Sequence, residues 1–287
     1  MIYQSSLKEQ LENIMIVTLS YLKEDHSNIH NLETLKNYYN KYISDLYNIE
    51  IDCTKTKFTI NPEESKKLLN IFNGINTSSL DDKNQKFTIS DKIETNNLND
   101  QLIRINDSLN ELSLHSNEHY HLFNNMITDV FILPSLEARG GSSSTALGII
   151  WANPRLTHTI NDITEFLIHE LTHNSLFIDE RRFGHYCYDS ILDESTWANS
   201  AILKIPRPID KVIHSIIVSL EIILYRDIAI GHPPKPKLHP PTEVMLKQID
   251  DSIFSVESVL LQNKKEILKE RTLNLLENVK NMKNSLV

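Results

Sequence analysis

Residues 164–174 read Thr-Glu-Phe-Leu-Ile-His-Glu-Leu-Thr-His-Asn and contain a His-Glu-x-x-His motif. In a helix, side chains four residues apart leave the same face one turn apart. His169 and His173 can therefore direct two imidazole nitrogens at one divalent metal ion, at bond lengths of about 2.0–2.2 Å. Glu170 lies between them, where its carboxylate can reach a ligand of that metal. The motif predicts a metal-binding helix.

The residues around the motif predict that this helix spans residues 160–178 and is buried on one face. Apolar side chains recur there at three- and four-residue spacing, at Ile163, Phe166, Leu167 and Leu171. Thr159 or Asn161 can cap the first turn. The helix dipole favours the acidic Asp162 and Glu165 in that turn.

Further outward, short strands precede the helix and helical segments follow it. Two apolar runs predict strands at 129–134 and 146–152, with a turn at 139–144 between them. Periodicity predicts the later helices at 193–203, at 209–230 and, as one long helix or a pair, at 242–284. Residues 231–241 contain five prolines and predict a loop.

The N-terminal half is predicted to be helical as well. Its expected elements are helices within 1–50, from Asn61 onward and over 98–126, and a surface loop at 74–100. We therefore expect a mainly α (α+β) fold. In it, a helical N-terminal region (1–128) packs on a helical core (129–287) whose small β-sheet backs the metal helix. A single continuous domain is the alternative.

Composition and charge limit the partners of the 287-residue chain. A formal net charge of -9 leaves no excess of Lys and Arg to neutralise phosphates, which argues against nucleic acid and anionic membranes as partners. The charges within residues 209–230 argue against a membrane span. The N-terminus lacks a signal-peptide pattern, and the spacing of Cys53 and Cys187 favours reduced thiols over a disulfide. We expect a cytoplasmic protein.

A catalytic metal needs a third protein ligand, and two residues are candidates. Glu194 follows His173 by about twenty residues, an arrangement that resembles the gluzincin peptidases. In that arrangement the metal is zinc, and Glu170 is the general base that activates a zinc-bound water. The other candidate is His214, which lies among aliphatic residues of a helix that must be buried. A lone buried histidine is also often a hydrogen-bonded core residue, so the spacing leaves both candidates open.

Three features occur in a characteristic order between residues 141 and 227. They are a Ser142-Ser143-Ser144 element leading into a strand, the His-Glu-x-x-His helix, and a Pro206-Arg207-Pro208 element before the apolar helix with His214. In this order they resemble the HExxH-type peptide β-hydroxylases. Those enzymes depend on iron and 2-oxoglutarate and modify ribosomally made peptides.

This resemblance implies an oxygenase that hydroxylates a side-chain β-carbon of a precursor peptide, with Fe(II), 2-oxoglutarate and O₂. It implies metal ligands at His169, His173 and His214. Glu170 would hold the co-substrate, a water or a ligand by hydrogen bonding. The distal carboxylate of 2-oxoglutarate needs cations or hydroxyls, for which the candidates are Arg207 first, then Arg139, Ser142, Ser143 and Ser144.

The remaining histidines show no comparable pattern. Surface positions are expected for His115, His119 and His121, and loop positions without an assigned role for His185, His232 and His239. Glu221 lies two turns after His214 and can orient a ligand by hydrogen bonding, or pair with Arg226 or Lys211.

Overall fold

A computed structural model of the protein describes residues 2–74, 89, 97–200 and 205–286. These residues form a mainly α fold with small β-sheets, which confirms the predicted α+β class. The helices are α1 (Leu7–Leu22), α2 (Leu32–Tyr47), α3 (Pro62–Asn73), α4 (Leu98–His115), α5 (Asn117–Met126), α6 (Ile160–Phe183), α7 (Tyr188–Ile191), α8 (Ile209–Tyr225), α9 (Thr242–Gln262) and α10 (Glu270–Ser285). The strands are β1 (Lys57–Thr59), β2 (Asp129–Ile132), β3 (Gly140–Ser142), β4 (Ile149–Ala152), β5 (Ala198–Ser200) and β6 (Ile205–Arg207). The predicted surface loop at 74–100 lies largely outside the described residues.

Helix α6, which carries the motif, runs five residues beyond its predicted end. Thr159 caps it through a reciprocal pair of hydrogen bonds. The Thr159 hydroxyl accepts from the Asp162 backbone N–H at 3.1 Å, and the Asp162 carboxylate accepts from the Thr159 N–H at 2.7 Å. Nearly every residue from 162 to 179 is buried. A helix buried all round lies at the centre of its domain, so α6 is the element on which the others pack.

A four-stranded sheet lies on one side of α6, in the order β1-β2-β4-β3. The pairs β1/β2 and β2/β4 are parallel, and β3 runs antiparallel to β4. The strands predicted at 129–134 and 146–152 are β2 and β4. Neither β1 nor β3 was predicted, and the turn expected at 139–144 is wrong in part, because Gly140–Ser142 pairs with β4. A Gly-Gly-Ser segment has little strand propensity of its own, and its partner strand makes it extended.

Both faces of this sheet are covered by helices. Side chains alternate between the faces of a strand, so Ile150 and Ala152 of β4 pack with α6 while Ile149 and Trp151 pack with α3. Helix and sheet approach each other closely at Gly140. There, a Cβ atom would lie 2.4 Å from the Phe166 ring, and the backbone φ of +153° also favours glycine.

A second core forms on the other side of α6, between α8, α9 and α10. The helix predicted at 209–230 is α8 followed by a π-helical turn, Arg226–Ile230, and the segment after the prolines is a helix pair. The helix predicted at 193–203 is wrong. Glu194–Thr196 is a single 3₁₀ turn, and β5 pairs with β6 as an antiparallel two-stranded sheet. Residues 201–204 lie outside the description.

Residues on both sides of the predicted boundary at 128 share one core. Leu35, Tyr39 and Ile43 of α2 belong to the same buried cluster as Ile163 and Leu171 of α6. Strand β1 also pairs with β2 across that boundary. Among the helices that the structure describes, none has the length and apolar character that a membrane span requires. The two cysteines are free.

Candidate functional site

The two motif histidines face each other across one turn of α6. Nε2 of His169 lies 3.2 Å from Nε2 of His173, and the ring centroids are 4.9 Å apart. Two nitrogens bound to one metal at about 2.1 Å, with an angle between the bonds of 90–109°, are separated by about 3.0–3.4 Å. The observed separation fits a shared metal ion. It equally fits a direct hydrogen bond between the rings.

The outer nitrogen of each motif histidine contacts a further histidine. Nδ1 of His169 lies 3.0 Å from Nε2 of His239, and Nδ1 of His173 lies 3.0 Å from Nδ1 of His214. The four rings therefore form a row in the order His239, His169, His173, His214. Phe177 stacks on the His173 ring at an interplanar angle of 20°, which limits the freedom of that ring.

The environment of three histidines in this row favours uncharged imidazoles. Removal from bulk water lowers the pKa of His169 to about 3, with a smaller contribution from His239. Burial lowers the pKa of His173 well below its usual value, and His169 and His214 lower it further. Burial also lowers the pKa of His214. The neutral imidazole is the form that binds metals, so these three side chains are in the form that can ligate a metal near neutral pH.

The carboxyl group of Glu170 lies beside the two facing nitrogens. Its Oε1 is 4.0 Å from Nε2 of His169, and the residue is 4% exposed. Its Oε2 is buried and has no hydrogen-bond partner among the described residues. Burial raises the pKa of Glu170 to about 8, although the Ser142 hydroxyl partly offsets this. A buried, unpaired carboxyl oxygen is unusual, and a bound ion or substrate group at this position would satisfy it.

A cavity of about 600 Å³ opens in front of these side chains. It lies between α6, α8, the segment from β3 to Thr145, and the start of α9. The predicted binding residues Ser142, Ser143, Ser144 and Arg207 all line it, as do His169, Glu170, His173, His214 and His239. Lys211 and Gln248 add further polar groups that the sequence did not single out. A cavity of this size suits a small organic ligand or a few residues of a peptide.

Ser142 is held against α6 by Asn174. The Asn174 Nδ2 donates to the Ser142 hydroxyl at 3.0 Å, and its Oδ1 accepts from the Gly148 N–H at 2.9 Å. One contact crosses from α6 to the end of β3, and the other to the last residue before β4. One side chain next to His173 therefore fixes the serine segment over the histidines.

Two of the predicted residues lie away from the cavity. Arg139 lines a separate small pocket with Pro154 and His158, and its guanidinium donates to the Glu137 carbonyl at 3.3 Å. Glu194 is exposed on its 3₁₀ turn and is not among the residues that line the cavity. Neither placement supports a role for these residues at the metal.

A buried ion pair supports the outer end of the histidine row. Arg226 donates to both carboxylate oxygens of Glu165, at 2.7 and 2.8 Å, and the two side chains are at most 1% exposed. Nδ1 of His239 lies 3.1 Å from the Glu165 Oε2. The sequence reading missed His239 and this ion pair, because 61 and 74 residues separate Glu165 from its two partners. The one available signal was a glutamate on the motif helix itself, one turn before His169.

Other buried polar groups correct the sequence reading but lie outside the cavity. His119 is fully buried rather than at the surface, and its Nε2 lies 3.1 Å from Glu221. Glu221 also accepts from Gln4 at 2.9 Å, and these contacts differ from the pairing expected with Arg226 or Lys211. His185 is buried against Asp179 at 2.6 Å. The first pair joins α5 to α8, and the second holds the segment after α6 against that helix.

The predicted metal site stays a prediction. In the part of the chain that the structure describes, no three His, Cys, Asp or Glu side chains already form a group that could hold a metal ion. Comparison with known proteins adds no assignment: no family model matches the sequence, and no curated protein matches it significantly.

Proposed function

We propose that the protein is an Fe(II)/2-oxoglutarate-dependent oxygenase that hydroxylates a side-chain β-carbon of a ribosomally made peptide. The observation that carries the proposal is the pair of Nε2 atoms 3.2 Å apart in the wall of a cavity that also contains Arg207 and Lys211. Neutral imidazoles suit a transition metal. Two cations in the same cavity suit an anionic co-substrate.

His169 and His173 would hold the metal through their facing nitrogens. His214 is the proposed third ligand, since it lines the same cavity and reaches His173 at 3.0 Å. Its present contact is with Nδ1 of His173, so ligation requires its ring to turn toward the facing nitrogens. Three histidines on one side of a metal leave adjacent positions for other ligands.

The remaining cavity residues would bind and orient the reactants. Arg207 can hold a carboxylate through two parallel hydrogen bonds, and Lys211, in the first turn of α8, adds a second positive charge. The hydroxyls of Ser142, Ser143 and Ser144 offer further donors in the same cavity. Glu170 would accept or donate a hydrogen bond beside the metal. When bound, Fe(II) with 2-oxoglutarate and O₂ supplies the oxidising power needed for a C–H bond.

One observation favours a second candidate, a zinc-dependent peptidase. Glu170 has a buried Oε2 without a partner and lies beside the two histidines, where a general base for a metal-bound water would lie. The exposed position of Glu194 does not support its part in that arrangement. The peptidase would then also need His214 as the third ligand. The oxygenase is our first proposal because its anionic co-substrate gives Arg207 and Lys211 of the cavity a role that the peptidase does not require.

Succinate formation from 2-oxoglutarate tests the proposal. The protein is loaded anaerobically with Fe(II), oxygen is admitted, and succinate is measured with and without a peptide library. We expect succinate formation that depends on iron. His169→Ala should abolish it, whereas His232→Ala, in the proline-rich loop and outside the cavity lining, should retain it. Peptide cleavage with zinc, lost in Glu170→Gln, together with no succinate would overturn the oxygenase in favour of the peptidase.

A further inference from the structure

We infer that the side chains of Arg104, Arg139 and Arg155, here called the arginine cluster, bind an acidic segment of the peptide substrate beside the cavity. The inference deepens the proposed function and rests on it in one respect, that the bound peptide reacts in the cavity. Binding itself requires neither a metal nor a reaction.

Three separate elements bring the arginine cluster together. Arg104 belongs to α4, Arg139 directly precedes β3, and Arg155 lies between β4 and α6. The Arg104 guanidinium donates to the carbonyl of His158, three residues after Arg155. The Arg155 guanidinium donates to two backbone carbonyls of the segment between β2 and β3, at 2.5 and 2.9 Å, and Arg139 ends that segment. The fold therefore gathers three cations from distant parts of the chain in one region.

The positive charges of the arginine cluster are not neutralised within the described part of the chain. The side-chain hydrogen bonds of all three residues end on backbone carbonyls, which carry no net charge, and none of the three forms an ion pair with a described carboxylate. Nε of Arg104 is buried and has no hydrogen-bond partner among the described residues. Burial lowers the pKa of Arg155, and the charge of Arg139 lowers it further. A bound carboxylate would relieve this repulsion and accept two parallel hydrogen bonds from a guanidinium.

Neighbouring residues leave the region positive. Lys237 adds a fourth cation, since its ammonium group donates to the Thr157 carbonyl at 2.6 Å. The Asp162 carboxylate lies nearby, but it already accepts from the N–H and the hydroxyl of Thr159 and from the Lys237 N–H. Glu137 accepts from a serine hydroxyl at 3.2 Å. Four cations against these two carboxylates favour an acidic partner here, although the chain as a whole has a net charge of -9.

Apolar side chains beside the arginine cluster favour a peptide over a free anion. Leu136 and Leu156 are 73% and 50% exposed. Leu156 follows Arg155 in the chain, and the Leu136 carbonyl accepts from the Arg155 guanidinium. Apolar contacts around a charged pair exclude water from it in protein complexes. A nucleic acid would instead need a wider set of phosphate-binding cations.

Strand β3 connects the arginine cluster to the cavity. It follows Arg139 directly, forms an edge of its sheet, and lines the cavity along its whole length. The Arg139 carbonyl accepts from the Asn153 N–H at 2.7 Å, so the alternation of an antiparallel ladder directs the N–H and C=O groups of Gly140 and Ser142 to the open side. Among the described residues these backbone groups have no hydrogen-bond partner.

An extended peptide can pair with such an open edge. A paired peptide would run along β3 from the cavity toward the arginine cluster. At about 3.3 Å per residue, an acidic side chain roughly three to five residues from the reacting one would reach the arginines.

Fluorescence anisotropy with the metal-free, full-length protein tests the inference. The probes are two rhodamine-labelled peptides of the same sequence, one with a run of glutamates and the other with glutamines in their place. We expect the glutamate peptide to bind about tenfold more tightly, and the preference to weaken as salt is added.

Variants of the arginine cluster locate the binding surface. Arg139→Gln and Arg155→Gln should each raise the dissociation constant of the glutamate peptide about 3–10-fold. Lys8→Gln removes an equal charge from an 88% exposed side chain of α1 and should bind like the wild type. Because Arg155 also holds two backbone carbonyls, Arg155→Lys, which keeps the charge, should retain more affinity than Arg155→Gln. Melting temperatures confirm that each variant is folded, and Arg139→Gln, which loses a single 3.3 Å hydrogen bond, provides the test if Arg155→Gln is not.

The outcomes separate this inference from the proposed function. Equal affinity for the two peptides, or a preference for glutamate that both arginine variants keep, would overturn the inference even if succinate forms with other peptides. A preference for glutamate that the arginine variants lose, together with no succinate from the iron-loaded protein, would support the acidic-peptide surface and count against the oxygenase instead.

Discussion

Replacing Arg226 with methionine should destabilise the protein strongly, because it leaves the Glu165 carboxylate buried without its main partner. Arg226 is fully buried and gives Glu165 two hydrogen bonds, at 2.7 and 2.8 Å. It also donates to the Pro240 carbonyl and to Thr242. Breaking one half of a buried ion pair costs about 3–5 kcal/mol. In a chain of this size that corresponds to a fall in melting temperature of roughly 5–15 °C.

A double-mutant cycle measured by thermal and urea unfolding separates this effect from lost packing. The double variant with Glu165→Met and Arg226→Met lacks both charges, so it should be more stable than Arg226→Met alone. The coupling energy between the two substitutions should be about 1–3 kcal/mol. Lys280→Met breaks solvent-accessible pairs with Glu277 and Glu257 and should change stability by less than about 1 kcal/mol. If Arg226→Met lowered stability no more than Lys280→Met, or if the two single effects simply added, the ion pair would not be the anchor we describe.

Two further predictions concern the folded core. Burial lowers the pKa of Lys36 to about 8, so the unfolded chain holds more protons than the folded one between pH 8 and 10. The free energy of unfolding should therefore rise by about 2–3 kcal/mol over that range. In urea titrations Lys36→Met should remove this rise and Lys41→Met, on the exposed face of α2, should keep it; a flat wild-type profile would refute the lowered pKa. Gly140→Ala should destabilise by about 2 kcal/mol or more, since its Cβ would lie 2.4 Å from Phe166 and 2.7 Å from the Trp151 carbonyl at a positive φ. Gly141→Ala meets its nearest atom at 3.6 Å and should shift the melting temperature far less; equal shifts would contradict the close approach.

The local parts of the site could be predicted from the sequence. The helix, its cap and the pair His169 and His173 all follow from spacings of three or four residues. Ser142–Ser144 and Arg207 were found through the order of motifs along the chain, and they line the same cavity as the histidines.

The supporting parts could not be predicted, because they depend on contacts between distant segments. His239 comes to His169 from 70 residues away, on a loop whose sequence indicates only that it is irregular. The strands β1 and β3 are three residues long, too short for a periodic pattern, and form because β2 and β4 offer them partners. The prediction of a helix at 193–203 is wrong because of another contact between separate segments. Pairing between β5 and β6 overrides the local helical preference of Ala198–Ser200.

The central claim is that His169 and His173 hold one divalent metal ion between their Nε2 atoms. Calorimetric titration of the metal-free protein with Co(II) tests it most directly, with His169→Asn, His173→Asn and His232→Asn measured in parallel. We predict one ion per chain for the wild type and for His232→Asn, and loss of binding in both motif variants while their melting temperatures without metal stay close to that of the wild type. Saturable binding that survives both motif substitutions, or no binding by the wild type, would contradict the claim.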